Sequence, residues 1–228
     1  MTRRYALYWL PEPGSGLAAF GNAVLGYDNA TGAPVPYPDG LSDLAAVTAG
    51  ARAYGFHATL KAPMRLAPAA EEADLLATVR DLAAGHPPVA LGPLRVAALG
   101  PFLALVSESP PPELGLLAAE CVAALDPLRA PLSEAERAKR RPERLDPRGR
   151  ALLARWGYPY VFEAFRFHMT LTDALPEPDR AAWLDRLTEA YAASGPEPVV
   201  IDAVCLLSQD GAEPFRLRAR LPFGAAHG

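Results

Sequence analysis

Histidine is scarce in this 228-residue chain, at four residues, and cysteine is scarcer, at two. Cys121 and Cys205 lie far apart in apolar surroundings. That placement speaks for buried, reduced thiols and against a disulfide framework or a thiolate metal site. No apolar run approaches the ~20 residues of a membrane-spanning helix. The opening stretch, MTRRYALYWLPEPG, has basic residues and then a short apolar run, which Pro11 ends before it could serve as a signal-peptide core. Neither charge dominates: 22 Lys and Arg against 26 Asp and Glu give a net charge of −4. That balance excludes a general nucleic-acid coat while leaving room for a local basic patch. The expectation is a cytoplasmic, monomeric protein that binds no membrane. Half of the residues are hydrophobic, enough for a sizeable core.

Periodicity and breakers divide the chain into alternating elements. Strands are expected at 4–10, 54–61, 89–99, 102–108, 165–172, 199–209 and 214–221. Helices are expected at 41–49, 70–84, 113–125 and 178–193. The charged section 133–157 reads as two helices split at Pro142, the second opening with Asp146 as N-cap and Pro147 at the first helical position.

The two halves repeat one another. His57 and His168 are 111 residues apart, the helices that follow start about 107 apart, and Pro101-Phe102 returns as Pro214-Phe215 at an offset of 113. A common offset for strand, helix and strands indicates an internal duplication. The expected fold is α+β, a single bilobal domain over 1–228 with pseudo-twofold symmetry. Lobe 1 would span about 1–110 and lobe 2 about 111–228, with a basic helical insertion at about 133–157.

Of the four histidines, His227 lies in a terminal AAHG tail expected to be disordered. His86 follows a helix, where a cation suits the C-terminal dipole. The other two occur in FHATLK (56–61) and FRFHMTLT (165–172), each with threonine two residues on. Alternation sends Phe, Met and Leu to one face of these strands and His, Thr and the neighbouring cations to the other. One His-x-Thr is an ordinary polar strand face. Two at equivalent positions of a repeat would line a single cleft.

Two imidazoles facing one another suit a phosphodiester. Histidine titrates near pH 6.5, so one ring can accept a proton from the attacking oxygen while the other donates to the leaving oxygen. Threonine hydroxyls on the same face can hold the non-bridging oxygens. No metal or other cofactor is required by that chemistry. Neither strand offers an adjacent same-face carboxylate or cysteine, and Asp173 has the wrong parity relative to His168.

The pair FHATL and FHMTL resembles the signature of the 2H phosphoesterase superfamily, named for its two His-x-Thr/Ser motifs. RYALYWLP, YGFHATLKAP, PLRVAALGPFLALV, APLSEAERAKRR and ALLARWGYPYVFEAFRFHMTLT together resemble a bacterial branch of it associated with phosphonate metabolism. The resemblance implies two antiparallel sheets flanking a central cleft, with helices outside. It implies metal-independent phosphodiester hydrolysis, or the reverse ligation, at cyclic phosphates and 2′–5′ linkages. His57 and His168 would be the catalytic acid–base pair, and Thr59 and Thr170 the phosphate-holding hydroxyls. The branch suggests a small ribosyl cyclic phosphate as substrate. The alternative is an enzyme of short RNA ends, a 2′,3′-cyclic phosphodiesterase or 2′–5′ ligase.

Lys61, Arg166 and Thr172 share the polar parity of the two motifs and are candidate substrate contacts. Tyr8, on the first strand, is a candidate neighbour of the site. The 133–157 section carries eight cations, among them Lys139, Arg140, Arg141 and Arg144. It reads as a solvated helix face, or as an arm offering cations to a second phosphate or to RNA. WGYPY (156–160) reads as core packing or as an aromatic wall for a base or sugar.

Overall fold

The computed structural model describes residues 3–224; His227 lies outside them. Among the described residues the elements run β1 (Arg3–Trp9), α1 (Gly16–Leu25), β2 (Tyr27–Asp28), β3 (Ala33–Pro34), α2 (Leu44–Val47), α3 (Ala49–Arg52), β4 (Ala58–Met64) and α4 (Glu72–Ala84). Then come β5 (Val89–Gly92), β6 (Leu94–Leu99), β7 (Phe102–Ser107), α5 (Pro112–Leu125), α6 (Glu134–Lys139) and α7 (Pro147–Trp156). The chain closes with β8 (Met169–Thr170), α8 (Glu177–Ala193), β9 (Val199–Ile201), β10 (Ala203–Asp210) and β11 (Arg216–Pro222). The fold is α+β with antiparallel sheets, as expected.

The expected pair of sheets is instead a single one. Seven strands run in the order β11-β10-β1-β4-β8-β7-β6, and β2-β3 and β5-β9 form separate two-stranded ribbons. The merger has a local cause. β4 and β8 meet edge to edge at Ala58 and Met169, so both walls of the cleft belong to one ladder. Nor does a split near residue 110 separate the strands. β6 and β7, encoded before it, continue the sheet beyond β8, while β10 and β11, encoded after it, continue the sheet beyond β1. The β6–β7 hairpin pairs through every residue from Leu94–Ser107 to Leu99–Phe102, so it moves as a unit to the far edge of β8.

Helix-period patterning decides which sheet face is covered. Leu75, Val79 and Ala83 of α4, Leu114, Leu117 and Cys121 of α5, and Trp183, Leu187 and Tyr191 of α8 are buried. They join Leu7, Leu60, Leu103, Leu105 and Met169 in the main core, where each large aliphatic residue contributes about 1.5–3 kcal/mol by leaving water. A smaller cluster of Ala6, Tyr8, Leu10, Cys205, Leu207 and Phe215 fills part of the opposite face. Burial on both faces explains the nearly unbroken apolar run of β1. Both cysteines are buried and unpaired.

In the charged section, α6 opens with a capping box between Ser133 and Glu136, and Asp146 caps α7 by accepting from Gly149 N at 2.6 Å, as its Asp-Pro start implies. The sequence reading missed α1. Its N-cap is Ser15, whose Oγ accepts from Ala18 N, and Gly26 ends it at φ +64°. Gly21 of this helix lies directly against the Phe56 ring: a Cβ there would fall 2.0 Å from the nearest ring carbon. Alanine in place of glycine gains about 1 kcal/mol of helix propensity, but overpacking a rigid ring costs about 1–3 kcal/mol. Gly21→Ala is therefore expected to lower the melting temperature by a few degrees, measured by thermal unfolding; an unchanged or raised Tm would mean that Phe56 has room to move.

Candidate active site

The sheet face away from the main core holds both His-x-Thr motifs. Ala58 on β4 pairs with Met169 on β8 in antiparallel register. Continuing that register one step each way sets His57 beside Thr170 and Thr59 beside His168, with directly opposed Cβ atoms about 5 Å apart. All four residues line one cavity of about 340 Å3, together with Tyr8, Tyr54, Phe102, Arg140 and Tyr158.

Each imidazole is gripped in the same way. His57 Nδ1 lies 2.8 Å from the Gly55 carbonyl, and His168 Nδ1 lies 2.8 Å from the Arg166 carbonyl. In both cases the acceptor is two residues back. A carbonyl can only accept, so Nδ1 carries the proton and Nε2 is the atom left for chemistry. His57 Nε2 sits 3.2 Å from Thr59 Oγ1. Gly55 itself adopts φ +70°, and a Cβ there would meet Asn29 at 2.5 Å; glycine permits both.

The surroundings of the two rings differ. The Tyr8 ring stacks on His57 at 3.7 Å between centroids and 21° between planes. Phe102 approaches His168 at a tilt, 5.8 Å between centroids and 51° between planes. Protein crowding around His57 disfavours its cation. That burial outweighs the Gly55 carbonyl, which favours the cation, and a smaller repulsion from His168 adds to it, so the pKa falls to about 4.

The other predicted contacts divide. Tyr8 is fully buried under the site as the platform for His57. Lys61 does not reach the cleft. Tyr8 pairs with Thr59 but Leu7 pairs with Lys61, so β4 advances two residues while β1 advances one. This bulge flips the parity. Ala62 takes the cleft position, and the Lys61 ammonium turns inward to donate to the Val122 carbonyl at 3.0 Å, 3.7 Å from Asp126. Burial lowers its pKa to about 8, against the pull of Asp126. Thr172 is buried and its hydroxyl is committed: it accepts from Leu103 N at 3.0 Å and donates to the Asp173 carbonyl at 2.9 Å. Arg166 holds His168 through its carbonyl, while its side chain is exposed at a neighbouring aromatic chamber of about 560 Å3 that also opens onto Thr59 and His168. The expected 165–172 strand shrinks to Met169–Thr170, because the Leu171 and Thr172 amides both turn to the Leu103 carbonyl.

With the geometry in place, comparison with known proteins is informative. Residues 59–216, more than half of the chain, match the family described as "Protein of unknown function (DUF1045)". The chain belongs to this family. A relative from Janthinobacterium sp. (strain Marseille), named "Ribose 1,5-bisphosphate phosphokinase PhnN", is 44% identical over 96% of this chain and 51% of its own length. A protein of the same name from Laribacter hongkongensis (strain HLHK9) is 41% identical over 94% of this chain and 50% of its own. The chain thus spans about half the length of these curated relatives. A solved structure from Agrobacterium tumefaciens, the conserved protein of unknown function ATU0111, aligns over 96% of this chain and 86% of its own at 14% identity and a TM-score of 0.45, a likeness too distant to carry an argument.

Tyr54 and Phe102 were not among the expected site residues, and Asp173, set aside on parity, also lines the cavity. Asp173 accepts from the Gly50 and Ala51 amides at 2.9 and 2.8 Å, anchoring the segment after β8 to the start of α3. No local pattern marks such a long-range contact. Among the described residues no three His, Cys, Asp or Glu side chains converge as a metal site, and no helix is long and apolar enough to cross a membrane. The inward turn of Lys61 predicts that Lys61→Met, measured by steady-state kinetics on a phosphodiester substrate, leaves KM within about twofold; a tenfold rise would return the ammonium to the substrate.

Proposed function

We propose that this chain hydrolyses a small cyclic phosphodiester by acid–base catalysis between His57 and His168, without a metal. One observation carries the reading. Both imidazoles are held through Nδ1 by the carbonyl two residues back, and both line one cavity with Thr59 and Thr170. This arrangement leaves two proton-transfer atoms for one phosphorus centre. The strand-helix-strand order repeated at an offset near 111 supports an origin in two duplicated lobes that meet at this cavity.

The differing environments support a division of labour. His57, with its pKa near 4, is neutral at working pH and suits the base. Its Nε2 takes a proton from water as the water oxygen bonds to phosphorus. The P–O bond of the ring breaks, and the leaving oxygen takes a proton from His168 Nε2. The product is a phosphomonoester with a free hydroxyl, and solvent restores both rings. Thr59 and Thr170 donate to the non-bridging oxygens, where charge must be held.

The 2H phosphoesterase resemblance favours this reaction and a ribosyl substrate linked to phosphonate breakdown. The curated relatives are named for a kinase of ribose 1,5-bisphosphate, and this chain corresponds to about half of each. Neither Lys61 nor Lys139 follows a glycine, so the Gly-Lys-Ser/Thr phosphate loop of P-loop kinases is not written in this half. A second reading, hydrolysis or ligation at 2′,3′-cyclic RNA ends, is favoured by the aromatic chamber beside Thr59 and His168, which would accept a base.

Purified protein should open ribosyl or nucleoside cyclic phosphates at a rate unchanged by EDTA. Loss of activity in EDTA would sink the metal-free mechanism. His57→Ala and His168→Ala should each lose about 10²–10⁴-fold in kcat; normal turnover by either variant would break the two-histidine assignment. As pH falls through about 4 the base becomes protonated and kcat/KM should drop, and at higher pH the rate should fall again as the ring that donates to the leaving oxygen loses its proton. An acid limb near 6 to 7 would move the role of base from His57 to another group.

A further inference from the structure

Next to the histidine cavity lies a second hollow of about 290 Å3, lined by Lys139, Arg140, Arg141, Arg144, Tyr158 and Tyr160 among others. Four cations and no carboxylate border it. Several neighbouring arginines are neutralised, Arg129 and Arg155 by Asp126, Arg65 by Glu136, and Arg148 by Glu163, whereas Arg137 and Arg150, outside the hollow, have no carboxylate partner among the described residues. Among the described residues no carboxylate lies within ion-pair distance of Lys139, Arg140, Arg141 or Arg144. Like charges gathered in one concavity with no carboxylate among them repel one another and favour an anion.

The backbone is shaped for this gathering. Arg141 adopts φ +47°, ψ +59°, a left-handed conformation unfavourable for a residue with a Cβ. That residue sits between the end of α6 and the Pro142–Arg144 turn, bringing Arg140, Arg141 and Arg144 onto one hollow. Strain held at a non-glycine residue marks sites whose geometry is over-determined. Arg140 also stacks over Tyr158 at 4.8 Å. Arg140 and Tyr158 line both this hollow and the histidine cavity, so the two share a wall.

We infer that this hollow seats a second anionic group of the same substrate, a terminal phosphomonoester several bonds from the scissile cyclic phosphate. The inference builds on the reaction proposed above and names the substrate class: a compact sugar or nucleotide that bears both phosphates. Guanidinium groups bind a dianionic phosphate through paired, charge-assisted hydrogen bonds. Four cations gathered around one small, solvent-open hollow suit one such group, whereas an RNA strand would need cations spread along a track.

The test compares adenosine 2′,3′-cyclic phosphate with its 5′-phosphorylated form. The added phosphate should raise wild-type kcat/KM at least tenfold. The ratio should fall towards one in Arg141→Gln/Arg144→Gln and, as a second variant, in Lys139→Gln/Arg144→Gln, with folding checked by circular dichroism. A wild-type ratio near one, or a ratio that survives in both folded variants, overturns the seat. If the wild type opens neither compound, the catalytic reading fails and the seat is judged separately, by calorimetry of the full chain with ribose 5-phosphate against ribose. Binding of the phosphorylated sugar alone, weakened at least tenfold in the variants, supports the seat, and binding indifferent to the variants overturns it. An oligoribonucleotide that outcompetes ribose 5-phosphate through the same arginines overturns it in favour of an RNA strand.

Discussion

The backbone pairing of Ala58 with Met169 is the contact on which the rest of this molecule depends. It joins β4, from early in the chain, to β8, from late in it, and makes one seven-stranded sheet. Its register has a particular consequence. Met169 follows Ala58 by the same 111 residues that separate the two histidines, so the pair exchanges with itself under the local twofold relation between the strands. Each histidine is then set against the threonine of the other motif. A slip of one residue by either strand would turn that strand's histidine and threonine towards the helix-covered core.

On that frame two chemically identical side chains acquire different properties. The grip on each imidazole is the same, a carbonyl two residues back at 2.8 Å. The second layer breaks the symmetry: a fully buried tyrosine stacks flat on His57, while His168 meets a phenylalanine at an angle and borders the aromatic chamber. Environments that push equivalent groups apart in proton affinity allow one of them to accept while the other donates. The basic section then adds an asymmetric element. It has no counterpart in the first half of the chain, and it brings Arg140 and Tyr158 to one wall of the cleft.

Several features were legible in the residues. The two motifs stand out because histidine is rare and its spacing to threonine repeats. The helices α4, α5, α7 and α8 follow their apolar periodicity and caps to within a few residues, since those signals are local. Lys61 shows where such reasoning ends. Its parity in the sequence is right for the cleft, but parity holds only while two strands advance together, and the bulge opposite Leu7 breaks that count. Thr172 has cleft parity too, yet its hydroxyl is taken up by the Leu103 amide, a partner 69 residues away. Helix α1 was missed because its glycines weaken the helical pattern. Its Gly21 is explained by the Phe56 ring on another element.

The amino-acid sequence by itself determined the chemistry on offer: two His-x-Thr motifs on polar strand faces, an α+β pattern of elements, and a concentrated basic segment. These depend on residue identity and on spacings of two to four residues, which local backbone geometry converts directly into faces. Only the tertiary structure decided that the walls of the cleft form one sheet, that Lys61 turns inward, that Tyr8 lies under His57, and that four cations gather in a hollow sharing Arg140 with the histidine cavity. Each of those outcomes depends on a register or a packing contact between segments distant in the chain. Such contacts are settled by the global competition for buried area and hydrogen bonds, not by any one stretch of residues.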